Sequence, residues 1–290
     1  MTIAIAWIRE VKKCQELIIC TDSRLNGGMR WDQGPKLFTL PRSDSAICFA
    51  GDTSYAYPLI IQLTNAISQY DKSSDRSLDI HKLRGHIIKV CNSLKDSIRS
   101  LSDKNAFKDN EFLFGGYSWT KKNFFLWKIR YDRDNNKFHF IRNTRKYGKL
   151  GKILFAGDMT NTAKKSLGIL IKQKYGSSIK KLKGIGYDFE PFEVIRDMLR
   201  ASDLRGSIGG APQILKVYQH MNSRVFGVYW PNKDSKKITI NGRELIGYEN
   251  IQNWIIDPDT LVSEKFTKTS YTEEDDEEED FSDDDELGDL

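Results

Sequence analysis

The segment Leu17-Ile-Ile-Cys20 is apolar at every position. A strand with one wet face alternates polar and apolar residues, whereas an unbroken apolar run has to be covered on both faces. Ile3-Ala-Ile-Ala-Trp-Ile8 has the same character. The chain must therefore place its first strands inside a sheet that carries a layer on each side. Further strands are predicted near 36–40 and 45–51, then helices near 55–70 and 80–101. The second helix is the clearer: Ile80, Leu83, Ile87, Val90, Leu94, Ile98 and Leu101 recur at steps of three and four, one apolar stripe. In the first, Pro58 is expected in the opening turn or at a kink. Strands near 111–119, 123–132, 136–142 and 152–157, helices near 160–175 and 190–202, and strands near 211–219 and 224–230 complete the order. Strands, a helix pair, strands, a helix pair and strands give an α+β chain of two stacked sheets flanked by helices.

Charge divides the chain. Residues 271–290 hold thirteen acidic residues and no Lys or Arg. The remaining twenty-seven acidic residues stand against forty-five basic ones in 1–270, a net charge of +18. So acidic a tail cannot bury enough apolar surface to pack. The expected organisation is one domain over 1–262 and a disordered acidic tail over 263–290. Within the body, residues 142–183 carry twelve Lys or Arg and one acidic residue. This basic face is expected to bind the acidic tail, its own or a neighbour's, or another anionic partner. No nucleic-acid reading motif or stacking platform accompanies it, which argues against nucleic acid as partner.

No run approaches the roughly 20 apolar residues of a membrane helix, and the first residues lack the basic-then-apolar layout of a signal peptide. Cys14, Cys20, Cys48 and Cys91 show no paired spacing, and three lie in apolar segments, as expected for reduced thiols in a cytoplasmic protein. His81, His86, His139 and His220 form no ligand pattern. Neither a metal nor a cofactor is expected.

Chemistry is concentrated at the start. If Met1 is removed, which the small Thr2 side chain permits, Thr2 carries a hydroxyl and a free α-amine on one residue. Such an amine titrates near pH 8, about two units below a Lys amine, so part of it is free to accept the hydroxyl proton at neutral pH. Downstream come Asp22 at the end of the second strand, Lys36 after a loop, and Gly51 closing a later strand. A buried Lys beside the hydroxyl favours the alkoxide, and an Asp offsets the Lys charge. A Gly amide at a strand end can approach a reacting carbonyl and stabilise its oxyanion.

This ordered set resembles the proteasome-type N-terminal-nucleophile hydrolases, and Asp22-Ser-Arg24 with Asn26-Gly27-Gly28 is most similar to their bacterial ring-forming relatives. The resemblance implies a four-layer αββα sandwich and a threonine-type endopeptidase subunit. It implies Thr2 as nucleophile, Asp22 and Lys36 beside it, and Gly51 at the oxyanion. It also implies a homo-oligomeric ring, a polypeptide substrate and an ATP-dependent unfoldase as partner. Family members carry Ser-Gly-Gly, preceded by Asp, near the terminal amine; here Gly206-Ser-Ile-Gly-Gly210 makes Ser207 the candidate and Asp203 a substitute for the Asp. Many members begin with two Thr before an Ile, and this chain has one. Aligning Thr2 with the second of the pair gives a catalytically inert scaffold instead. A small-amide hydrolase of the same chemistry is the third reading.

An internal echo stands apart from the set. Ile47-Cys-Phe-Ala-Gly-Asp52 and Ile153-Leu-Phe-Ala-Gly-Asp158 both end a strand and turn towards a helix. The resemblance implies that the second lies where the family places a Ser-bearing loop near the nucleophile; here Asp158 and Thr160 stand instead.

Overall fold

The computed structural model describes residues 2–12, 14–27, 29–99, 107–141, 152–176 and 186–266. The chain opens with β1 (Ala4–Val11), β2 (Cys14–Thr21), β3 (Leu25–Asn26), β4 (Arg30–Trp31), β5 (Leu37–Thr39) and β6 (Ser45–Ala50). Helices α1 (Thr53–Gln69), α2 (Asp71–Ser74) and α3 (Ile80–Asp96) follow, then β7 (Glu111–Ser118), β8 (Asn123–Asp132), β9 (Lys137–Ile141) and β10 (Ile153–Ala156). After α4 (Thr160–Tyr175) and α5 (Glu190–Arg200) come β11 (Gln213–Tyr218), β12 (Ser223–Tyr229), β13 (Ile238–Ile240), β14 (Arg243–Glu244), β15 (Trp254–Ile256) and β16 (Ser263–Lys265).

Among the described residues, nine strands form one sheet on the path β10-β1-β2-β11-β12-β13-β14, with β15 on β12 and β16 on β15. Five form a second, β5-β6-β7-β8-β9, and β3 with β4 makes a separate hairpin. Among the described strands, ladder pairing is antiparallel except between β12 and β15, and an isolated bridge from Arg9 to Tyr187 is also parallel. This is a mixed α/β chain built on antiparallel sheets.

Alternation along β1 sorts its side chains to two faces. Ile3, Ile5 and Trp7 join a buried cluster with Ala163, Leu167 and Ile171 of α4 and Val194, Ile195 and Leu199 of α5. Ala4, Ala6 and Ile8 join another, with Leu17 and Ile19 of β2, Ala46, Cys48 and Ala50 of β6 and Leu113 of β7. A third cluster packs Ile47, Phe49, Phe112 and Phe114 of the second sheet against Leu59, Leu63 and Ile67 of α1 and Leu83 and Ile87 of α3. Both faces are thus dry over residues 3–8 and 17–20, as these unbroken apolar runs require, while the hairpin end at Glu10, Val11 and Cys14 is exposed.

The differences from the expected elements are local. α1 starts at Thr53 behind the Asp52 cap, whose carboxylate accepts the Ser54 N–H at 2.8 Å, so Pro58 falls in the second turn. α3 ends at Asp96, ahead of Ile98, which is 40% exposed; Leu101 lies outside the described residues. β16 lies just past the expected domain boundary at 262. Of the basic stretch 142–183, residues 142–151 and 177–183 lie outside the described residues, as does the acidic tail from 267 on. On α4, Lys165 and Lys172 are exposed, while Lys174 pairs with Glu193 of α5. No helix among the described residues is long and apolar enough to cross a membrane.

Candidate active site

Thr2 stands just ahead of β1, and Asp22 directly follows β2, the antiparallel partner of β1. Pairing of Ala4 with Thr21 brings those two ends together. Asp22 then grips the main chain beside Thr2: its Oδ1 accepts the Ile3 N–H at 3.2 Å, and its own N–H donates to the Ile3 carbonyl at 3.3 Å. Thr21 adds a hydroxyl donated to the same carbonyl at 3.0 Å. Lys36 comes from the other sheet, one residue before β5.

Its ammonium joins the two ends. Lys36 Nζ donates to Thr2 Oγ1 at 3.0 Å and to Asp22 Oδ1 at 2.9 Å. Thr2, Asp22 and Lys36 are all buried, with Lys36 only 1% exposed. A buried ammonium is tolerated here because a carboxylate faces it. Asp22 is itself saturated, since Oδ2 accepts the N–H groups of Arg24 at 3.2 Å and Gly209 at 3.4 Å. Complete burial pushes the Asp22 carboxyl above its ordinary pKa, against the pull of Lys36 and the amides of Ile3 and Arg24. Two thiols lie close by. Burial raises Cys20 well above its ordinary value and pushes Cys48 up to about 12, so both stay protonated and offer no competing thiolate.

Gly51 has φ +127°, and a β carbon there would stand 2.4 Å from the Asp109 carbonyl oxygen. Only glycine fits that turn. Asn110 fixes the next residue, accepting the Asp52 N–H at 3.3 Å and donating to the Asp52 carbonyl at 3.0 Å. Ser207 does not join the cluster through its hydroxyl: the bond it makes among the described residues is through its carbonyl, which accepts from Asn26 at 3.0 Å. The residue of that loop that does reach the site is Gly209, through its amide. Asp203 closes a local turn, accepting the Arg205 N–H at 2.8 Å.

Two further residues position the cluster, Arg24 from the Asp22-Ser-Arg24 stretch and Gln213, which the sequence did not mark. Gln213, at the start of β11, is wholly buried. Its carbonyl accepts the backbone N–H of Lys36 at 3.0 Å, and its amide donates to Ser23 Oγ at 3.0 Å and the Gly34 carbonyl at 2.8 Å. It therefore ties both ends of the loop between Asp22 and Lys36. Arg24 forks onto Asp32 at 2.6 and 2.8 Å and donates to the carbonyls of Asp203 and Gly206, holding the loop that presents Gly209. Arg24 stands in the Asp22-Ser-Arg24 stretch that the sequence already singled out, whereas nothing near Gln213 in sequence marks it as part of a site; its partners lie as far as 191 residues away.

A hydroxyl held by an ammonium that is itself held by a carboxylate can serve as a nucleophile whose alkoxide is stabilised in a dry setting. Comparison with known families and with curated proteins gives no match. Among solved structures, the chain is similar to an Anbu (Gly-1) mutant from Hyphomicrobium sp. strain MC1, at 14% sequence identity and a TM-score of 0.49, over 78% of this chain and 87% of that one.

Proposed function

We propose that this chain is a threonine-type N-terminal-nucleophile hydrolase that cleaves peptide bonds as the subunit of a proteasome-like ring. One observation carries the reading: the buried line from Thr2 Oγ1 through Lys36 Nζ to Asp22 Oδ1, with spacings of 3.0 and 2.9 Å. The three apolar clusters support it as well, since a four-layer αββα sandwich needs one dry seam between each pair of layers.

The chemistry starts once Thr2 is the terminal residue and its α-amine is free. The amine accepts the proton of the Thr2 hydroxyl as Oγ1 bonds to the substrate carbonyl carbon. Lys36 stabilises the alkoxide character developing at Oγ1, and the Gly51 amide is the candidate donor to the carbonyl oxygen as it becomes an oxyanion. Collapse breaks the C–N bond, and the leaving amine takes the proton from the α-ammonium. Water then attacks the ester on Thr2, again losing its proton to the α-amine, and the acid product leaves with the hydroxyl restored. Asp22 moves no proton in this scheme; it neutralises Lys36 and orients it. Ser207 remains a candidate only through the loop that it shares with Gly209.

An ATP-dependent unfoldase that feeds polypeptide to such a ring, and docking of the acidic tail on the basic face, belong to the same proposal. A peptide epoxyketone or β-lactone is the direct probe. We expect it to add to Thr2 in the wild-type chain and to leave Thr2→Ala unlabelled. Equal labelling of both, or labelling at Cys14, which is exposed, would overturn the assignment.

A further inference from the structure

The two Phe-Ala-Gly-Asp turns that echo each other in the sequence, 49–52 and 155–158, meet beside Thr2. Gly51 and Gly157 both have positive φ, +127° and +94°. A β carbon on Gly157 would lie 3.4 Å from that of Ala50 and 2.0 Å from the carbonyl oxygen of Thr2. The main chain of Gly157 is thus the surface on which the Thr2 carbonyl rests.

An ion pair from the second sheet holds that surface. Glu111 of β7 accepts the Gly157 N–H on Oε2 at 3.0 Å, and the same oxygen faces Lys128 Nζ of β8 at 2.7 Å. Lys128 Nζ also donates to the Phe155 carbonyl at 3.1 Å. One pair therefore grips the turn on both sides, by the amide of 157 and the carbonyl of 155. Glu111 is 15% exposed and Lys128 18%, so the contact is largely out of bulk water. Burial draws the Lys128 ammonium below its ordinary pKa, and Glu111 opposes this. Arg130, at 4.0 Å from the other Glu111 oxygen, and Lys164 of α4 are further positive charges acting on the pair.

We infer that Glu111 and Lys128 are positioning residues for the nucleophile: they fix the Gly157 turn and, through it, the seat of the Thr2 main chain relative to Lys36. This rests on the reading of Thr2 as the nucleophile. No hydrogen bond among the described residues links either side chain to Thr2 Oγ1, so they act on alignment rather than on the reacting atoms. Misplacement of a reacting group by about 1 Å can cost on the order of 100-fold in rate.

The test uses the full-length protein, with folding of each variant checked by circular dichroism at the assay temperature. For Glu111→Ala we expect epoxyketone addition to Thr2 and kcat for a peptide substrate to fall about 100-fold, with KM within about twofold of wild type. Glu111→Gln keeps an oxygen for the Gly157 N–H and is expected to recover most of that loss. A folded Glu111→Ala that reacts at the wild-type rate, or a Glu111→Gln no better than Ala, would overturn the inference. So would a loss confined to KM. If Glu111→Ala does not fold, Lys128→Met, which frees only the Phe155 carbonyl and the Glu111 carboxylate, is read in the same way. If the wild type itself does not react, the nucleophile reading fails, and hydrogen exchange then decides the clamp. Faster exchange of the Gly157 amide and of residues 2–8 in Glu111→Ala supports it; unchanged exchange overturns it.

Discussion

Lys36→Met is expected to abolish more than 99% of Thr2 reactivity, a loss on the order of 10³-fold, because it removes the cation that faces the developing alkoxide. It also strands the Asp22 carboxyl, buried and facing no counter-charge at the place where Lys36 Nζ lay at 2.9 Å. Breaking a buried pair from one side costs about 3–5 kcal/mol of stability. The double variant Asp22→Asn/Lys36→Met removes both charges and is expected to regain much of that stability while gaining no activity. Urea unfolding beside the labelling rate separates the two effects. The sign of the pH dependence follows from Asp22. Its folded pKa is raised by burial, so the folded state holds the proton more tightly than the unfolded state. That contribution is present at low pH and is lost as pH rises through the folded value. The deficit of Lys36→Met is therefore expected to be largest near neutrality and to shrink as pH falls towards about 4. A deficit independent of pH would mean that Asp22 is not the stranded group.

Gly157→Ala is the second large effect. Its β carbon would stand 2.0 Å from the Thr2 carbonyl oxygen, and the backbone at φ +94° disfavours any side chain. Either the turn or Thr2 has to shift. The expected cost is about 3 kcal/mol or more, with Thr2 labelling lost alongside. Gly168→Ala is the control: it sits in α4, where an added β carbon meets nothing within 4 Å. There the same substitution is expected to stabilise by about 0.5–1 kcal/mol, since glycine in a helix interior carries an entropic penalty. Similar behaviour of the two variants in thermal unfolding would contradict the contact assigned to Gly157.

The sequence made the long elements legible because their periodicity is strong. Ile3 to Ile8 and Leu17 to Cys20 had to be covered on both faces, and the clusters on either side of β1 are that cover. Thr2, Asp22 and Lys36 could be read together because each falls at the end of a strand or loop, in a fixed order. β13 to β16 could not be read, since strands of two or three residues are too short to show alternation. The end of α3 was overrun because the apolar stripe continues past Asp96, whereas the helix stops at Ser97. Gln213 gave no signal because a Gln at a strand start looks like any other polar residue, and its partners are distant in sequence. Glu111 and Lys128 were hidden for the same reason: nothing local distinguishes a pair that grips a turn from one that decorates a surface. Ser207 rests on the family's Ser-Gly-Gly, from which it is displaced by one residue, and the loop offers the amide of Gly209 to Asp22. The echo of Phe-Ala-Gly-Asp looked like a strand-to-helix turn used twice, and only the packing of Gly157 on Thr2 gives it a further meaning.

The proposed chemistry depends most on which residue ends the mature protein. The N-terminal residue of protein purified from its native source, read by intact mass and confirmed by N-terminal sequencing, tests this directly. We expect Thr2, with a free α-amine. A homogeneous population with any residue still ahead of Thr2, or with the Thr2 amine blocked, would leave the hydroxyl without its base and contradict the proposed chemistry.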